Sequence, residues 1–272
     1  MSDWDDLTAA AIAGKLSRRD FLLRASALGA TAAMTGTVLS RTALADTPKK
    51  GGTLKLGLAG GSTTDSLDPR TYTDTVAFNV GYQIMNGLLE VDPKKQIQPE
   101  LLESWTVEPG AKKWVFKVRQ GITFHNGKTL DAEDILYSIN LHRGESKSPM
   151  VKPLSNISDI KVTDKNEITM TLAEGDVDLL YVLADYHLLV VPKDFTDWAK
   201  PIGTGAYELD AWEPGVRAAT KRAKGDYWKA GRGNVDGIEI TVINDAAQRM
   251  NALITGQVDM IHRVDPKAVD LL

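Results

Sequence analysis

The residues most often used for chemistry are few in this chain and far apart. The four histidines show no His-x-x-x-His spacing, and cysteine is absent. A zinc site, a thiolate nucleophile and a disulfide framework therefore have no support in the sequence. The chain also contains no Gly-x-Ser-x-Gly elbow, no phosphate-binding loop and no Gly-x-Gly-x-x-Gly motif. This pattern favours a protein that binds without catalysing, and that holds neither a metal nor another cofactor.

Length and composition narrow the class of protein further. The 272 residues are 43% apolar and 25% charged, with a formal net charge of −4. A chain of this length and composition can bury a substantial core. Its acidic balance offers no basic field for nucleic acid, so no nucleic-acid partner is expected.

The first 45 residues have the pattern of an export signal. Ser17-Arg18-Arg19-Asp20-Phe21-Leu22-Leu23 resembles the twin-arginine motif, an uncharged stretch follows over 25–40, and Ala43-Leu44-Ala45 matches a cleavage site. A membrane anchor is one alternative, but it needs about 20 strongly apolar residues, and Ser, Thr and Gly interrupt this stretch. An amphipathic helix with a solvated arginine pair is another. The order of the features favours export by the Tat translocase, cleavage after Ala45 and a periplasmic protein.

The rest of the chain mixes predicted strands and helices without a regular repeat. Alternating apolar and polar residues predict strands over 53–58, 113–119, 157–162, 167–172, 206–212, 217–222, 237–243 and 258–261. An apolar run before Pro192 predicts a buried strand over 188–191. Helical spacing predicts helices over 75–90, 178–185 and 246–255, and another that is capped by Asp131. Mixed elements of this kind indicate an α/β or α+β fold with sheets.

Several ordered stretches of the mature chain together carry a family pattern. They are Gly51-Gly52-Thr53-Leu54 with Ser66-Leu67-Asp68-Pro69; Gly87-Leu88-Leu89-Glu90 with residues 99–105; residues 114–128 with 132–138; and Gly203-Thr204-Gly205-Ala206-Tyr207 with Asp226-Tyr227-Trp228, Asn251-Ala252-Leu253 and Gly256-Gln257-Val258-Asp259. In order and spacing this set resembles the family 5 extracellular solute-binding proteins, the dipeptide- and oligopeptide-binding class. The resemblance runs from about residue 51 to the end of the chain.

The resemblance implies a periplasmic-binding-protein-like fold, with two lobes that close on a solute by hinge motion. It implies that 46–262 form the first lobe, with a core from 46–83 and 195–262 and an inserted subdomain from 84–194. Residues 263–272 would begin a second lobe that is largely missing from this chain. The implied function is to capture a peptide or related small solute and deliver it to the permease of an ABC importer.

Two groups of residues are the candidate solute contacts. The resemblance places the loop after Leu67-Asp68-Pro69 near the solute, which here offers Tyr72, Thr73, Asp74 and Thr75. Asp74 would pair with a solute ammonium, whereas the alternative is a solvated loop in which Asp74 or Thr75 caps the next helix. His262 and Arg263 stand where the chain would cross to the second lobe. Arg263 would meet a carboxylate, and the alternative is an exposed hinge pair.

Two other functions remain open from the sequence. Twin-arginine export also serves enzymes that are exported folded, so a periplasmic hydrolase is one alternative. A peptide-binding chaperone or sensor on the same fold is the other. A nucleophile elbow or clustered histidines and carboxylates would favour the hydrolase, and the sequence contains neither.

The export signal gives a direct prediction. Replacing the arginine pair, Arg18→Lys with Arg19→Lys, should abolish export because the translocase reads the two arginines as an address. The control Lys15→Arg keeps the pair and should be exported normally. Mass spectrometry of the periplasmic fraction should find a chain that starts at Asp46 for the parent and the control. A periplasmic product from the double variant, or one that retains Met1, would contradict the prediction.

Overall fold

The structure is a computed structural model that describes residues 48–264. The predicted signal peptide and residues 265–272 lie outside the described residues. Within the described part, no helix is long and apolar enough to cross a membrane.

The described residues form eleven strands and four α-helices. The strands are β1 (Thr53–Leu58), β2 (Leu89–Val91), β3 (Ile97–Pro99), β4 (Leu102–Val107), β5 (Lys113–Val118), β6 (Ile157–Asp164), β7 (Glu167–Leu172), β8 (Tyr207–Glu213), β9 (Arg217–Arg222), β10 (Gly237–Val242) and β11 (Met260–Ile261). The helices are α1 (Thr75–Ile84), α2 (Ala132–Asn140), α3 (Leu179–Leu183) and α4 (Ala246–Ile254). Short 3-10 turns cover Pro69–Thr71, Pro149–Val151 and Pro153–Asn156. The mixed fold predicted from the sequence is confirmed.

A five-stranded sheet joins the two ends of the described chain. Its strand order is β11-β1-β10-β9-β8, with β1 parallel to both β10 and β11, and with antiparallel pairing from β10 to β9 and from β9 to β8. Leu56 and Leu58 on β1 are buried in one hydrophobic cluster with Val76, Val80 and Ile84 of α1. Burial of these apolar side chains holds α1 against the sheet.

A four-stranded antiparallel sheet, in the order β4-β5-β7-β6, forms the second layer of structure. Alternate residues of β5 and β7, such as Trp114, Phe116, Ile168 and Met170, are buried in one face. Helix α2 belongs to the same cluster through Ile135 and Ile139. Asp131 and Asp134 form a reciprocal capping box at its start, which fixes where this helix begins.

The apolar side chains separate into two clusters. All fully buried members of the first lie between Leu88 and Val190. Members of the second come from Leu56–Met85, from Leu189 and Val191, and from Tyr207–Ile240. This division supports, as a proposal, an inserted subdomain over 84–194 within a core made from both sides of it.

Two predicted elements are corrected by the structure. The helix predicted over 75–90 ends at Ile84, because the carbonyl of Ile84, which would continue the ladder, accepts a 2.8 Å hydrogen bond from the Gly205 N–H. The segment 188–191 is buried as predicted, but it is a loop with a single bridge between Gly87 and Leu189. Its apolar run reflects burial alone, which does not distinguish a strand from a loop. The strands β2, β3 and β4 were not predicted.

The close approach at Gly205 generates a stability prediction. A Cβ at Gly205 would lie 2.3 Å from the carbonyl oxygen of Gln83, so Gly205→Ala forces the end of α1 away. We expect a loss of about 3 kcal/mol in the free energy of unfolding. The control Gly225→Ala occupies open space at φ +85°, and should cost only about 1 kcal/mol through backbone strain. Urea unfolding of both variants measures the difference, and equal losses would contradict the packing account.

Candidate functional site

The carboxyl ends of three strands meet at one edge of the five-stranded sheet. Because β1 runs parallel to β10 and β11, the residues that follow each strand emerge on the same side, where open sheets commonly bind ligands. The N–H of Ala59, after β1, donates to Nδ1 of His262, after β11, at 3.4 Å. The N–H of Gly60 donates to Oδ1 of Asn244, after β10, at 2.9 Å. These hydrogen bonds tie the three strand ends together.

The loop before α1 packs against the same edge. Gly60 has a φ of +89°, and a Cβ built on it would lie 3.2 Å from Cβ of Asp74 and 3.5 Å from the N atom of Thr75. Asp74 and Thr75 from one group of candidate residues, and His262 from the other, therefore lie beside Ala59 and Gly60. We call this set, Ala59, Gly60, Asp74, Asn244 and His262, the strand-end edge.

Asp74 caps helix α1, and its carboxylate has no cationic side chain as a salt-bridge partner among the described residues. Its Oδ1 accepts from the N–H of Val76 at 3.0 Å and of Ala77 at 3.5 Å, which caps α1. Burial and the nearby carboxylate of Asp65 raise the pKa of Asp74, against the lowering effect of the capping hydrogen bonds. Among the described residues neither acid forms a salt bridge with a lysine, arginine or histidine. The structure thus keeps the capping role and leaves negative charge at the edge.

Tyr72 departs from the sequence prediction and is corrected here. Its side chain is 1% exposed, and its hydroxyl donates to the carbonyl of Leu67 at 3.1 Å. Its backbone N–H donates to the carbonyl of Pro69, and its own carbonyl is 2.9 Å from Nε2 of His187. All its polar groups have partners inside the chain, so Tyr72 anchors the loop instead of offering contacts. Thr73 is exposed and Thr75 half-buried beside it.

His262 and Arg263 differ in their surroundings. His262 is half-buried, and burial followed by the charges of Arg249 and Arg263 lowers its pKa, which favours the neutral ring. Its Nε2 is buried without a hydrogen-bond partner in the part of the chain that the structure describes. Arg263 is exposed and has a φ of +54°, an uncommon backbone conformation for a residue with a side chain. Arg263 is therefore exposed, as expected for a residue of the hinge pair that was the alternative prediction.

Arg249 is a residue of this region that the sequence did not indicate. It lies on α4, is 4% exposed, and donates from Nη1 to the carbonyls of Ile243 at 2.8 Å and Asn244 at 2.9 Å. Its Nη2 donates to the carbonyl of Arg263 at 3.3 Å. The guanidinium thus joins the end of β10 to the residue after β11. An arginine on a short amphipathic helix is normally exposed, and no local pattern marks this one as buried.

A second polar cluster joins Asn86 and Glu100 to residues between 204 and 232. Nδ2 of buried Asn86 donates to Oε1 of Glu100 at 2.9 Å and to the hydroxyl of Tyr227 at 2.7 Å. Its Oδ1 accepts from Oγ1 of Thr204 at 2.9 Å and from Nε1 of Trp228 at 3.2 Å. Both ends of the amide are satisfied, so Asn86 is a structural junction.

Charge pairs complete this second cluster. Nζ of Lys229 lies 2.5 Å from Glu100 and 2.9 Å from Glu90, and Nη1 of Arg232 lies 2.8 Å from Glu90. Burial raises the pKa of Glu100 despite the neighbouring lysine. Surface pockets of about 570 and 660 Å³ are both lined by Trp228, Lys229 and Arg232. The carboxylates there are already neutralised by these side chains. The cluster therefore has a structural role and joins the segment with Glu90 and Glu100 to the segment with Lys229 and Arg232.

This fold, with three parallel strands that end at one edge of the sheet, defines a lobe of the periplasmic-binding-protein class. The segment 96–272 matches the bacterial extracellular solute-binding proteins, family 5, over more than half of the chain. The chain belongs to this family.

The relatives agree on the class and differ in their solutes. The glutathione-binding protein GsiB of Escherichia coli K12 is 27% identical over 224 residues, which are 79% of this chain and 43% of that protein. The binding protein AgaA from A. tumefaciens R10, solved with agropinic acid, has 31% identity and a TM-score of 0.73, over 80% of this chain and 45% of that one. DppA of Helicobacter pylori, solved with a peptide, has a TM-score of 0.72 at 23% identity, with 82% and 49% covered. This chain therefore spans less than half the length of these relatives.

The ion pair between Lys229 and Glu100 gives a prediction about how stability depends on pH. Lys229→Met leaves Glu100 buried without its cation, and should cost about 3 kcal/mol of unfolding free energy at pH 8. The raised pKa of Glu100 should rise further, so the folded variant binds a proton more readily than the unfolded chain. Stability relative to the parent should then recover as pH falls towards 5.

The matched control is Lys113→Met, which removes an exposed partner of Glu108. It should change stability by less than about 1 kcal/mol at either pH. Chemical unfolding at pH 5 and pH 8 provides the comparison. A Lys229→Met loss that is equal at both pH values would contradict the assignment to Glu100.

Proposed function

We propose that this chain is part of the solute-binding component of an ABC importer. It captures a peptide or a related small solute in the periplasm and delivers it to the permease subunits in the inner membrane. The observation that carries the proposal is the strand-end edge, where distant segments of a family 5 lobe converge beside carboxylates that have no salt-bridge partner among the described residues. The role is binding without catalysis, and neither a cofactor nor a nucleic acid takes part.

The chemistry of the edge favours a solute with a positive group on one side. Asp74 uses Oδ1 for the helix cap, and Asp65 uses Oδ2 for the N–H of Ser62 at 2.7 Å. Neither carboxylate has a salt-bridge partner among the described residues, so an ammonium placed beside the pair would form a charge-assisted hydrogen bond. The hydroxyls of Thr73 and Thr75 add acceptors and donors for a peptide backbone. Glutathione, for which GsiB is named, carries such an ammonium.

The other side of the edge favours a negative group. Arg263 presents an exposed guanidinium, and His262 lies next to it with Arg249 behind. A solute carboxylate placed here would meet positive charge, while its ammonium would meet Asp74. Under this proposal the solute is zwitterionic. The loop with Asp74 binds its positive end, and the pair of His262 and Arg263 binds its negative end.

Domain organisation and export belong to the same proposal. Residues 1–45 would direct export through the Tat translocase and be removed after Ala45. Residues 46–262 would form the first lobe, with 84–194 inserted, and 263–272 would begin the second. The separation of the two hydrophobic clusters supports the insertion.

A hydrolase is the second candidate because one serine contacts a histidine. Oγ of Ser148 lies 2.6 Å from Nδ1 of His142. Ser148 is 5% exposed and His142 fully buried, and the same Oγ accepts from the Met150 N–H to cap a 3-10 turn. A nucleophile must reach its substrate, and this one is enclosed by its own fold. The pair therefore supports structure and not hydrolysis.

Asp74→Asn tests the solute site without removing the helix cap, because asparagine caps a helix as well as aspartate does. We expect the affinity for glutathione to fall by about tenfold or more, the loss of one charged hydrogen bond, with an unchanged melting temperature. Asp131→Asn changes the cap of α2, away from the edge, and should leave affinity unaltered.

Titration of the 15N-labelled chain, followed by NMR up to millimolar glutathione, detects weak binding and maps it. Shifts at Gly60, Thr75 and His262 in the parent, reduced by Asp74→Asn, are the expected result. N-acetylated dipeptides, which lack the ammonium, should bind the parent and Asp74→Asn equally. Absence of shifts with glutathione and with a panel of free dipeptides, or equal binding of glutathione by all three proteins, would overturn the proposed site.

A further inference from the structure

His187 is a buried histidine whose two ring nitrogens both have partners. Its side chain is 5% exposed, with Nδ1 2.6 Å from Oδ1 of Asp185 and Nε2 2.9 Å from the carbonyl oxygen of Tyr72. The segment that carries it, between α3 and the buried loop at 188–191, belongs to the proposed inserted subdomain. The residue it reaches, Tyr72, belongs to the loop at the strand-end edge.

Both partners of the ring are hydrogen-bond acceptors. A backbone carbonyl accepts and never donates. Burial pushes the pKa of Asp185 upwards, but hydrogen bonds from the His187 ring and backbone outweigh it, so its pKa lies below the usual value. Asp185 is therefore a carboxylate, and the same Oδ1 also accepts from the His187 N–H at 3.0 Å. The ring therefore bridges two acceptors, the Asp185 carboxylate on its own segment and the Tyr72 carbonyl on the loop before α1.

The Tyr72 carbonyl lies at the start of the loop that presents Asp74, so a hydrogen bond to it can fix the position of the loop. The ring of Tyr72 is fixed in the core, and Gly81 of α1 leaves the space for it, since a Cβ there would lie 2.6 Å from the Tyr72 hydroxyl. Asp74, two residues after Tyr72, both caps α1 and contacts Gly60 at the edge. The hydrogen bond from His187 is thus a direct link from the inserted segment to the loop that presents Asp74.

We propose that His187 is a positioning residue of the solute site: its ring holds the Tyr72 carbonyl, and with it the loop from Tyr72 to Thr75, against the strand-end edge. The positioning role stands on the geometry of the loop alone. Its effect on solute affinity rests on the proposed function.

Two aromatic rings pack beside the His187 ring. Tyr186, from its own segment, has its ring centroid 4.1 Å away, and Tyr72, from the loop, has its ring centroid 6.4 Å away. The ring is therefore held by packing as well as by its two acceptors.

Removal of the ring would leave the Tyr72 carbonyl without its partner. The loop should then loosen, and a solute held by Asp74 should bind more weakly.

Two variants separate positioning from general stability. His187→Ala removes the partner of the Tyr72 carbonyl, and His187→Gln restores an N–H donor. The control is His125→Ala, which removes a ring whose Nε2 lies 2.9 Å from the Gly205 carbonyl, away from the loop.

The first measurement is amide hydrogen exchange, followed by NMR at one fixed pH. Exchange at Val76 and Ala77, compared with global unfolding of the same protein, should accelerate by about tenfold in His187→Ala and return towards the parent rate in His187→Gln. His125→Ala should leave the two amides at the parent rate. Parent-like exchange in His187→Ala, or no slower exchange in His187→Gln than in His187→Ala, would overturn the proposal. If His187→Ala does not fold, exchange in His187→Gln that is more than about tenfold faster than in the parent would overturn it.

The second measurement is the glutathione affinity of the same proteins at the same pH. We expect the affinity to fall by about tenfold in His187→Ala and to recover in His187→Gln, and an unchanged affinity in His187→Ala would remove the link to the solute. If the exchange result holds and neither glutathione nor the dipeptide panel binds the parent, the positioning role stands and the proposed function fails.

Discussion

The parallel insertion of β1 between β10 and β11 is the contact on which the rest of this structure depends. The three strands come from opposite ends of the described chain, and the pairing of β1 with β11 closes a loop that contains every other described element. Closing so long a loop costs conformational entropy, which the ladder hydrogen bonds and the burial of Leu56 and Leu58 must offset. The same parallel direction brings Ala59, Asn244 and His262 to one edge. The fold and the candidate site are therefore consequences of one pairing.

Both apolar packing and directional contacts attach the proposed inserted segment to this core. Most of its buried apolar side chains form a cluster of their own, but Leu189 and Val191 are buried in the cluster of the five-stranded sheet. Across the boundary lie the backbone approach at Gly205, the Asn86 junction, the Lys229 pairs and the bond from His187 to the Tyr72 carbonyl. Hydrogen bonds fix orientation more sharply than apolar burial, which is non-directional. This explains why polar residues that are almost fully buried occupy the boundary.

The sequence predicted the elements that have local causes. Alternation in β1 and β5 and the capping box of α2 gave their positions closely, because side-chain spacing and cap chemistry act within a few residues. The end of α1 was missed because a backbone contact from Gly205, far along the chain, decides it. Strand β4 was missed because its side chains are mostly polar and exposed, and its place is set by pairing with β5.

The same distinction applies to the candidate site. Asp74, Thr75 and His262 were reached through a resemblance, and the structure places them around Ala59 and Gly60. Arg249 and His187 were not singled out, because a lone arginine on a helix and a lone histidine in a loop have no local pattern. Their roles arise from the carbonyls they meet in three dimensions. A sequence can thus indicate which segment approaches a site before it indicates which residues support that segment.

The distribution of unused hydrogen-bonding groups follows from how each segment ends. Asp74 ends an extended loop at a helix start, where its carboxylate caps the helix and lies beside the carboxylate of Asp65. Arg249 of α4 donates to the carbonyls of Ile243 and Arg263, after β10 and β11, so its positive charge lies at the strand ends. The edge therefore has acceptors on the α1 side and donors on the β11 side without any dedicated loop. A solute with both charges would fit this polarity in one orientation, since reversal would bring each of its charged groups against a like charge.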